Sequence, residues 1–289
     1  MVARALTATA FVLLVSGSAG AAGPPAFACT DIGPKPTPAT IVGTQGNDTL
    51  TGTPGRDVIA GLSGDDVIDG GGGDDLICGG DGNDRLSGGA GEDVLSGDAG
   101  DDVLDGGGQP ANGTDFAGYD ASPAAVSASL AAGTATGWGS DQLRGVEGIS
   151  GSPLADSLTG NGGDNVLLGQ RGNDRLNGLG GSDLVSGTEG NDTMNGGAGA
   201  DLAFYENSPR PMRVDLARGI ATGWGRDRLR SFEDVVGSSR ADRLLGSKSP
   251  NYLWGLGGAD FIDGRGGRDH ASGGPGRDRC VHAEVRSSC

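Results

Sequence analysis

The chain has 289 residues, sixty of them glycine, with only six Phe, three Trp and three Tyr, too little bulky apolar material for a wide globular core. Thirty-eight acidic against twenty-one basic residues give a formal net charge of −17, which disfavours nucleic acid or anionic membrane as partners and would be partly neutralised by divalent ions.

The N-terminus has the anatomy of a secretory signal: Arg4, a largely apolar run from Ala5 to Val15, then small residues from Ser16 to Ala22. The run is too short to span a bilayer. Cleavage after Ala21 fits the usual spacing better than cleavage after Ala28, giving a signal peptide over 1–21 and a Pro-rich linker over 22–42. A lipid anchor on Cys29 is disfavoured by Phe27 in its box. The expected destination is outside the cell, free or associated with the cell surface.

From Gly43 the chain repeats every nine residues without a slip: GTQGNDTLT, GTPGRDVIA, GLSGDDVID, GGGGDDLIC, GGDGNDRLS, GGAGEDVLS and GDAGDDVLD. Gly stands at positions one and four, Asp at six and Leu or Ile at eight, a pattern of stacked short strands and turns. One inward aliphatic side chain per repeat does not offset the ordering of nine residues, several of them glycine. Worse, position-six carboxylates on successive coils about 5 Å apart repel one another. A cation between coils reverses that sign, and an all-oxygen shell of carboxylates and carbonyls suits calcium.

Two weaker arrays follow, six repeats from Gly151 and five from Gly237. Their leading units, GSPLADSLT and GNGGDNVLL, then GSSRADRLL and GSKSPNYLW, lack Gly at position four or carry Asn165 or Asn251 at position six, and are expected to bind calcium poorly. The candidate metal ligands are Asp48, Asp57, Asp66, Asp75, Asp84, Asp93 and Asp102, then Asp174, Asp183, Asp192 and Asp201, then Asp260, Asp269 and Asp278. Between arrays, residues 113–160 match 199–246 at a constant offset of 86, sharing Tyr119 with Tyr205, Trp138 with Trp224, Asp141 with Asp227 and Glu147 with Glu233. Alternation in VSASL and MRVDL predicts strands, so each copy reads as an enlarged, irregular part of one continuous solenoid. A four-residue insertion, 109–112, is expected as an exposed loop.

Residue by residue, the nonapeptides resemble the RTX, or hemolysin-type, calcium-binding repeat family. The resemblance implies an all-β fold, a parallel β-roll or β-solenoid with calcium between turns and two nonapeptides per turn. Asp48 would then face Asp66, and Asp57 Asp75, Asp66 Asp84, Asp75 Asp93 and Asp84 Asp102, giving at most five sites in the first array. The domain reading is a first array over 43–118, an irregular β segment over 119–150, a second array over 151–204, a homologous irregular segment over 205–236, a third array over 237–281 and a cap over 282–289. Family members exported by a dedicated pump lack an N-terminal leader, so this chain is expected to use the general secretion route.

Four cysteines in an exported chain suggest two disulfides. The preferred pairing is Cys29 with Cys78 and Cys280 with Cys289, the second closing the end of the solenoid. His270 and His282 are expected on the surface, outside any zinc motif or catalytic triad. With about twenty linker residues before the first array there is no place for a catalytic domain, and the chain is read as no enzyme. The expected function is a secreted protein that binds calcium and folds on binding it. The alternative is a calcium-stabilised adhesin or carbohydrate-binding surface protein, whose cell-surface or glycan partner the sequence does not name.

Overall fold

The computed structural model describes residues 39–108 and 113–289. The expected signal peptide, Cys29 and the insertion at 109–112 lie outside the described residues. Strands and turns make up the described chain, with no helix among them. It forms two compact units, divided after Pro153.

In the first unit the strands alternate between two sheets as the chain coils. One sheet runs Ile41–Val42, Val58–Ser63, Leu76–Asp81, Val94–Ala99, Phe116–Gly118, Gly148–Ser150. The other runs Thr49–Thr51, Val67–Asp69, Arg85–Ala90, Val103–Gly108, Ser140–Arg144, Thr134–Thr136, Ser127–Ser129. Pairing between coils is parallel, with Val58 against Leu76 and Val67 against Arg85, two nonapeptides apart. Position eight supplies the core between the sheets: Ile59, Ile77 and Leu95 on one side and Ile68, Leu86 and Leu104 on the other are each at most 1 % exposed. This is the parallel β-solenoid that the resemblance of the repeats implies, built from the stacked short strands that the nine-residue period predicts.

The irregular segment adds strands of the other sense. Ser127–Ser129 pairs antiparallel with Thr134–Thr136, and that strand pairs antiparallel with Ser140–Arg144. The chain thus doubles back twice before Ser140–Arg144 rejoins the parallel stack on Val103–Gly108. Parallel neighbours need a crossover, whereas a short turn can only reverse the chain, so an enlargement of this length takes the antiparallel form.

The second unit repeats the plan. Its first sheet runs Val166–Leu168, Leu184–Ser186, Leu202–Phe204, Asp234–Val236, Tyr252–Trp254, His270–Ser272, Val285–Ser287. Its second runs Ser157–Thr159, Arg175–Gly180, Thr193–Ala198, Arg226–Arg230, Ile220–Thr222, Arg213–Asp215, Arg243–Leu245, Phe261–Asp263, Arg279–Val281. In both units the second sheet alternates exposed and buried residues along its strands, so one of its faces meets solvent. Cys280 stands at position eight, inside the core column beside Ile262, and is disulfide-bonded to Cys289 as expected. Cys78 is also disulfide-bonded; its expected partner, Cys29, lies outside the described residues.

Candidate metal centre

Each position-six aspartate immediately precedes a strand, and the eighteen-residue coil stacks these residues in two columns per unit. The columns are hydrogen-bonded in one direction. The backbone N–H of Asp48 donates to Asp66 Oδ1 at 2.7 Å, that of Asp66 to Asp84 at 2.8 Å and that of Asp84 to Asp102 at 2.8 Å. The second column links Asp57 to Asp75, then Asp75 to Asp93. In the second unit, Asp156, Asp174 and Asp192 form one ladder, Asn165, Asp183 and Asp201 another, and Asp242, Asp260 and Asp278 a third. Asn251 donates in the same way to Asp269. The eighteen-residue pairings implied by the repeats are all present.

Each carboxylate then has a second oxygen, and here the repeats divide. The Oδ2 atoms of Asp66, Asp75, Asp84, Asp93, Asp102, Asp174, Asp183, Asp192, Asp201, Asp260 and Asp269 are buried without a hydrogen-bond partner. In these repeats the position-two residue has positive φ, whether glycine, as at Gly71 and Gly80, or Leu62, Asp98, Gln170, Leu179, Thr188, Leu256 and Arg265. By contrast, Asp48 Oδ2 accepts from the N–H and hydroxyl of Thr44, and Asp57 Oδ2 does the same from Thr53. Ser238 satisfies Asp242, Ser247 satisfies Asn251, and the Asn161 N–H satisfies Asn165. These position-two residues lack positive φ. The leading repeats therefore close their own side chain at position six, and later repeats leave theirs open.

Sequence reasoning missed the column ends. The N–H of Asp93 donates to Asp115 across 22 residues, the extra four being the insertion, and that of Asp102 donates to Asp141. Asp192 reaches Asp227 likewise. The Tyr119 phenol donates to Asp141 Oδ2 at 2.8 Å, and the Tyr205 phenol to Asp227 Oδ2 at 3.0 Å. A phenol here satisfies the oxygen that the regular coils leave open. The other columns end on glutamates: Asp115 donates to Glu147, Asp201 to Glu233 and Asp269 to Glu284. Pairing at a constant offset of 86 carried the signal for Asp141, Asp227, Glu147 and Glu233; Glu284 recurs in the tail without the rest of that repeat. Position five builds a further, exposed ladder, with Asn47 accepting from Asp65, Asp65 from Asn83 and Asn83 from Asp101.

The electrostatics follow the division. Burial pushes the carboxyls of Asp75, Asp102, Asp183 and Asp192 up to about 7 and that of Asp174 to about 8, the backbone N–H from the preceding coil opposing the rise and carboxylates on adjacent coils adding to it. Asp84, Asp93 and Asp260 rise to about 6 for the same first reason. Asp57 moves the other way, held down by the Thr53 N–H and then by the Thr53 hydroxyl. A column of buried, like-charged, half-satisfied carboxylates is costly unless a cation joins it.

The residues fit such a cation. The position-one glycine brings a backbone carbonyl of the next coil to the open oxygen: a methyl group on Gly70 would lie 2.5 Å from both Asp75 Oδ2 and the Gly88 carbonyl oxygen. No three His, Cys, Asp or Glu side chains converge among the described residues, so carbonyls must complete any shell. Paired carboxylate and carbonyl oxygens make a hard donor set suited to calcium. The family model of the RTX calcium-binding nonapeptide repeat matches residues 42–77, 79–109, 150–185, 177–204 and 236–271, more than half of the chain. The chain belongs to the RTX calcium-binding repeat family. RTX repeats bind calcium at multiple sites between turns, and calcium is this protein's metal. No curated protein matches the chain.

His270 directly follows Asp269 of a carboxylate column, and His282 lies in the tail. His282, exposed as expected, meets Asp263 at 2.9 Å, and His270, half-buried, stacks on Tyr252 at 4.4 Å between ring centroids. The Trp138 and Trp224 carbonyls accept from Gly100 and Gly190, one coil away. No helix among the described residues is long and apolar enough to cross a membrane.

Proposed function

We propose that this is an exported calcium-binding protein whose repeats order into the solenoid when calcium enters between coils, the ion supplying cohesion that the glycine-rich chain lacks. One observation carries the reading: among the described residues, eleven buried oxygens of position-six aspartates, in register from coil to coil, have no hydrogen-bond partner. The ligand set begins with the aspartates that own those oxygens, from Asp66 to Asp102, Asp174 to Asp201, and Asp260 with Asp269. Asp278, which accepts from Asp260 at the last coil, completes the third array. At Asp48 and Asp57 the ion would have to displace the threonine donors, so these two bind more weakly.

Export by the general route, through a leader over 1–21, places the chain where calcium is abundant and suits sites of modest affinity. The role is structural and non-catalytic, carried by arrays over 43–118, 151–204 and 237–281 that irregular segments over 119–150 and 205–236 join. Equilibrium dialysis of the mature protein tests the ligand set. Asp84→Asn lowers the number of bound calcium ions, whereas Asp48→Asn leaves it within error; equal losses, or no bound calcium in the parent, would defeat the proposal.

A further inference from the structure

One surface of this acidic protein is basic. On the solvent-facing side of the second unit's second sheet, Arg226, Thr222, Arg213, Arg243, Phe261 and Arg279 occupy one register line across six adjacent strands. At the ~4.8 Å spacing of neighbouring strands the line is about 24 Å long. All four arginines are exposed, and none lies within ion-pair distance of a carboxylate among the described residues. Arg243 and Arg279 both pack over the Phe261 ring, 4.5 and 5.7 Å from its centre. The carboxylates one register line away are already engaged, Asp215 by both guanidinium nitrogens of Arg265 at 2.7 and 2.8 Å and Asp263 by His282. Arg228 adds a further positive charge on the same face two residues from Arg226.

The fold does not require these charges. The first copy of the 86-residue repeat has the same antiparallel excursion and the same pairing, yet carries Ser127, Ser140 and Gln142 where the second carries Arg213, Arg226 and Arg228. Ser157 likewise stands for Arg243. The same strand pairing with neutral side chains at these four positions in one copy and exposed arginines in the other separates the charge from the architecture.

We infer that this line is a docking surface for a linear acidic polysaccharide, one bearing carboxylate or sulfate groups along an extended chain. The arginines follow one register line across the strands, which suits a single extended chain laid across the coils rather than the plane of a bilayer. A chain with about one charge per sugar residue has a charge spacing of the same order as the strand spacing. Guanidinium forks pair with carboxylate and sulfate oxygens, and the Phe261 ring offers an apolar contact between two of them. The net charge of −17 repels a more densely charged polyanion such as nucleic acid.

The test is binding of the full mature protein in saturating calcium to chondroitin sulfate, with neutral dextran, single-stranded DNA and phosphatidylglycerol vesicles as comparison arms. The variant R213S/R226S/R243S carries the first copy's residues at all three positions. The parent binds chondroitin sulfate, binding weakens as salt rises, and the variant loses at least tenfold in affinity with an unchanged circular dichroism spectrum. A single substitution, Arg243→Ser, gives a smaller loss in the same direction. Absence of binding by the folded parent, equal binding to dextran, tighter binding to DNA or vesicles, or an unaffected variant would each overturn the inference.

Discussion

Gly70→Ala probes the closest approach between coils. The new methyl would sit 2.5 Å from the Asp75 Oδ2 and from the Gly88 carbonyl oxygen, and 3.0 Å from Ile77 Cδ1. Asp75 can swing away, but the Gly88 carbonyl belongs to a parallel strand edge and moves only with its coil. Overpacking of this kind costs about 1–3 kcal/mol. The same displacement takes the open oxygen from its register, so the variant loses a calcium site as well as stability. Gly266→Ala is the control: nothing lies within 4 Å of its methyl, and its φ is not left-handed. Restricting the unfolded chain there stabilises by about 0.4–1 kcal/mol. Urea unfolding at a fixed saturating calcium concentration reads the combined cost, and equilibrium dialysis reads the lost ion. If Gly70→Ala is as benign as Gly266→Ala in both assays, the inter-coil geometry described above is wrong.

Three further predictions use other parts of the columns. Because burial raises the folded carboxyls of Asp75, Asp102, Asp174 and Asp183 above their unfolded values, their contribution to the calcium-free protein is fully present below the ordinary carboxylate range and is lost as pH rises through about 7 to 8. In chelator the chain is therefore more ordered at pH 5 than at pH 8.5, while calcium reverses the trend by favouring the ionised form; far-ultraviolet circular dichroism at both pH values checks the sign. Thr188, a β-branched residue at φ 62°, occupies the position-two site that glycine fills at Gly71, Gly80 and Gly197. Thr188→Gly relieves about 1–2 kcal/mol of left-handed strain, less the glycine's chain entropy, and raises the urea midpoint. Tyr119→Phe removes the donor to buried Asp141 Oδ2 and costs about 1–3 kcal/mol in saturating calcium, whereas Asp141→Asn leaves the calcium count unchanged by dialysis because the phenol already satisfies that oxygen.

The repeat spacing carried most of the fold. The nine-residue period showed stacked short strands with one inward aliphatic each; the eighteen-residue coil came from the resemblance to RTX repeats, and the register between Ile59, Ile77 and Leu95 agrees with it. The aspartate pairing was legible for the same reason, since position six has one phase throughout. What the period could not show was the state of the second carboxylate oxygen. That depends on position two, where Thr44 and Thr53 bend a donor back onto the aspartate four residues on, while Leu62 and Leu179 adopt a left-handed conformation that a propensity argument assigns to glycine. Asp115 was hidden by the insertion that puts it 22 residues after Asp93. Glu147, Glu233 and Glu284 close columns from outside the arrays, where no periodic argument applies.

The central claim is that cations between coils hold the solenoid together, and far-ultraviolet circular dichroism of the mature protein tests it most directly. Stripped with chelator and titrated with calcium, the chain gains parallel-strand signal cooperatively, and magnesium at the same concentration does not reproduce the change. Full strand signal and an unaltered melting temperature in chelator would contradict the account.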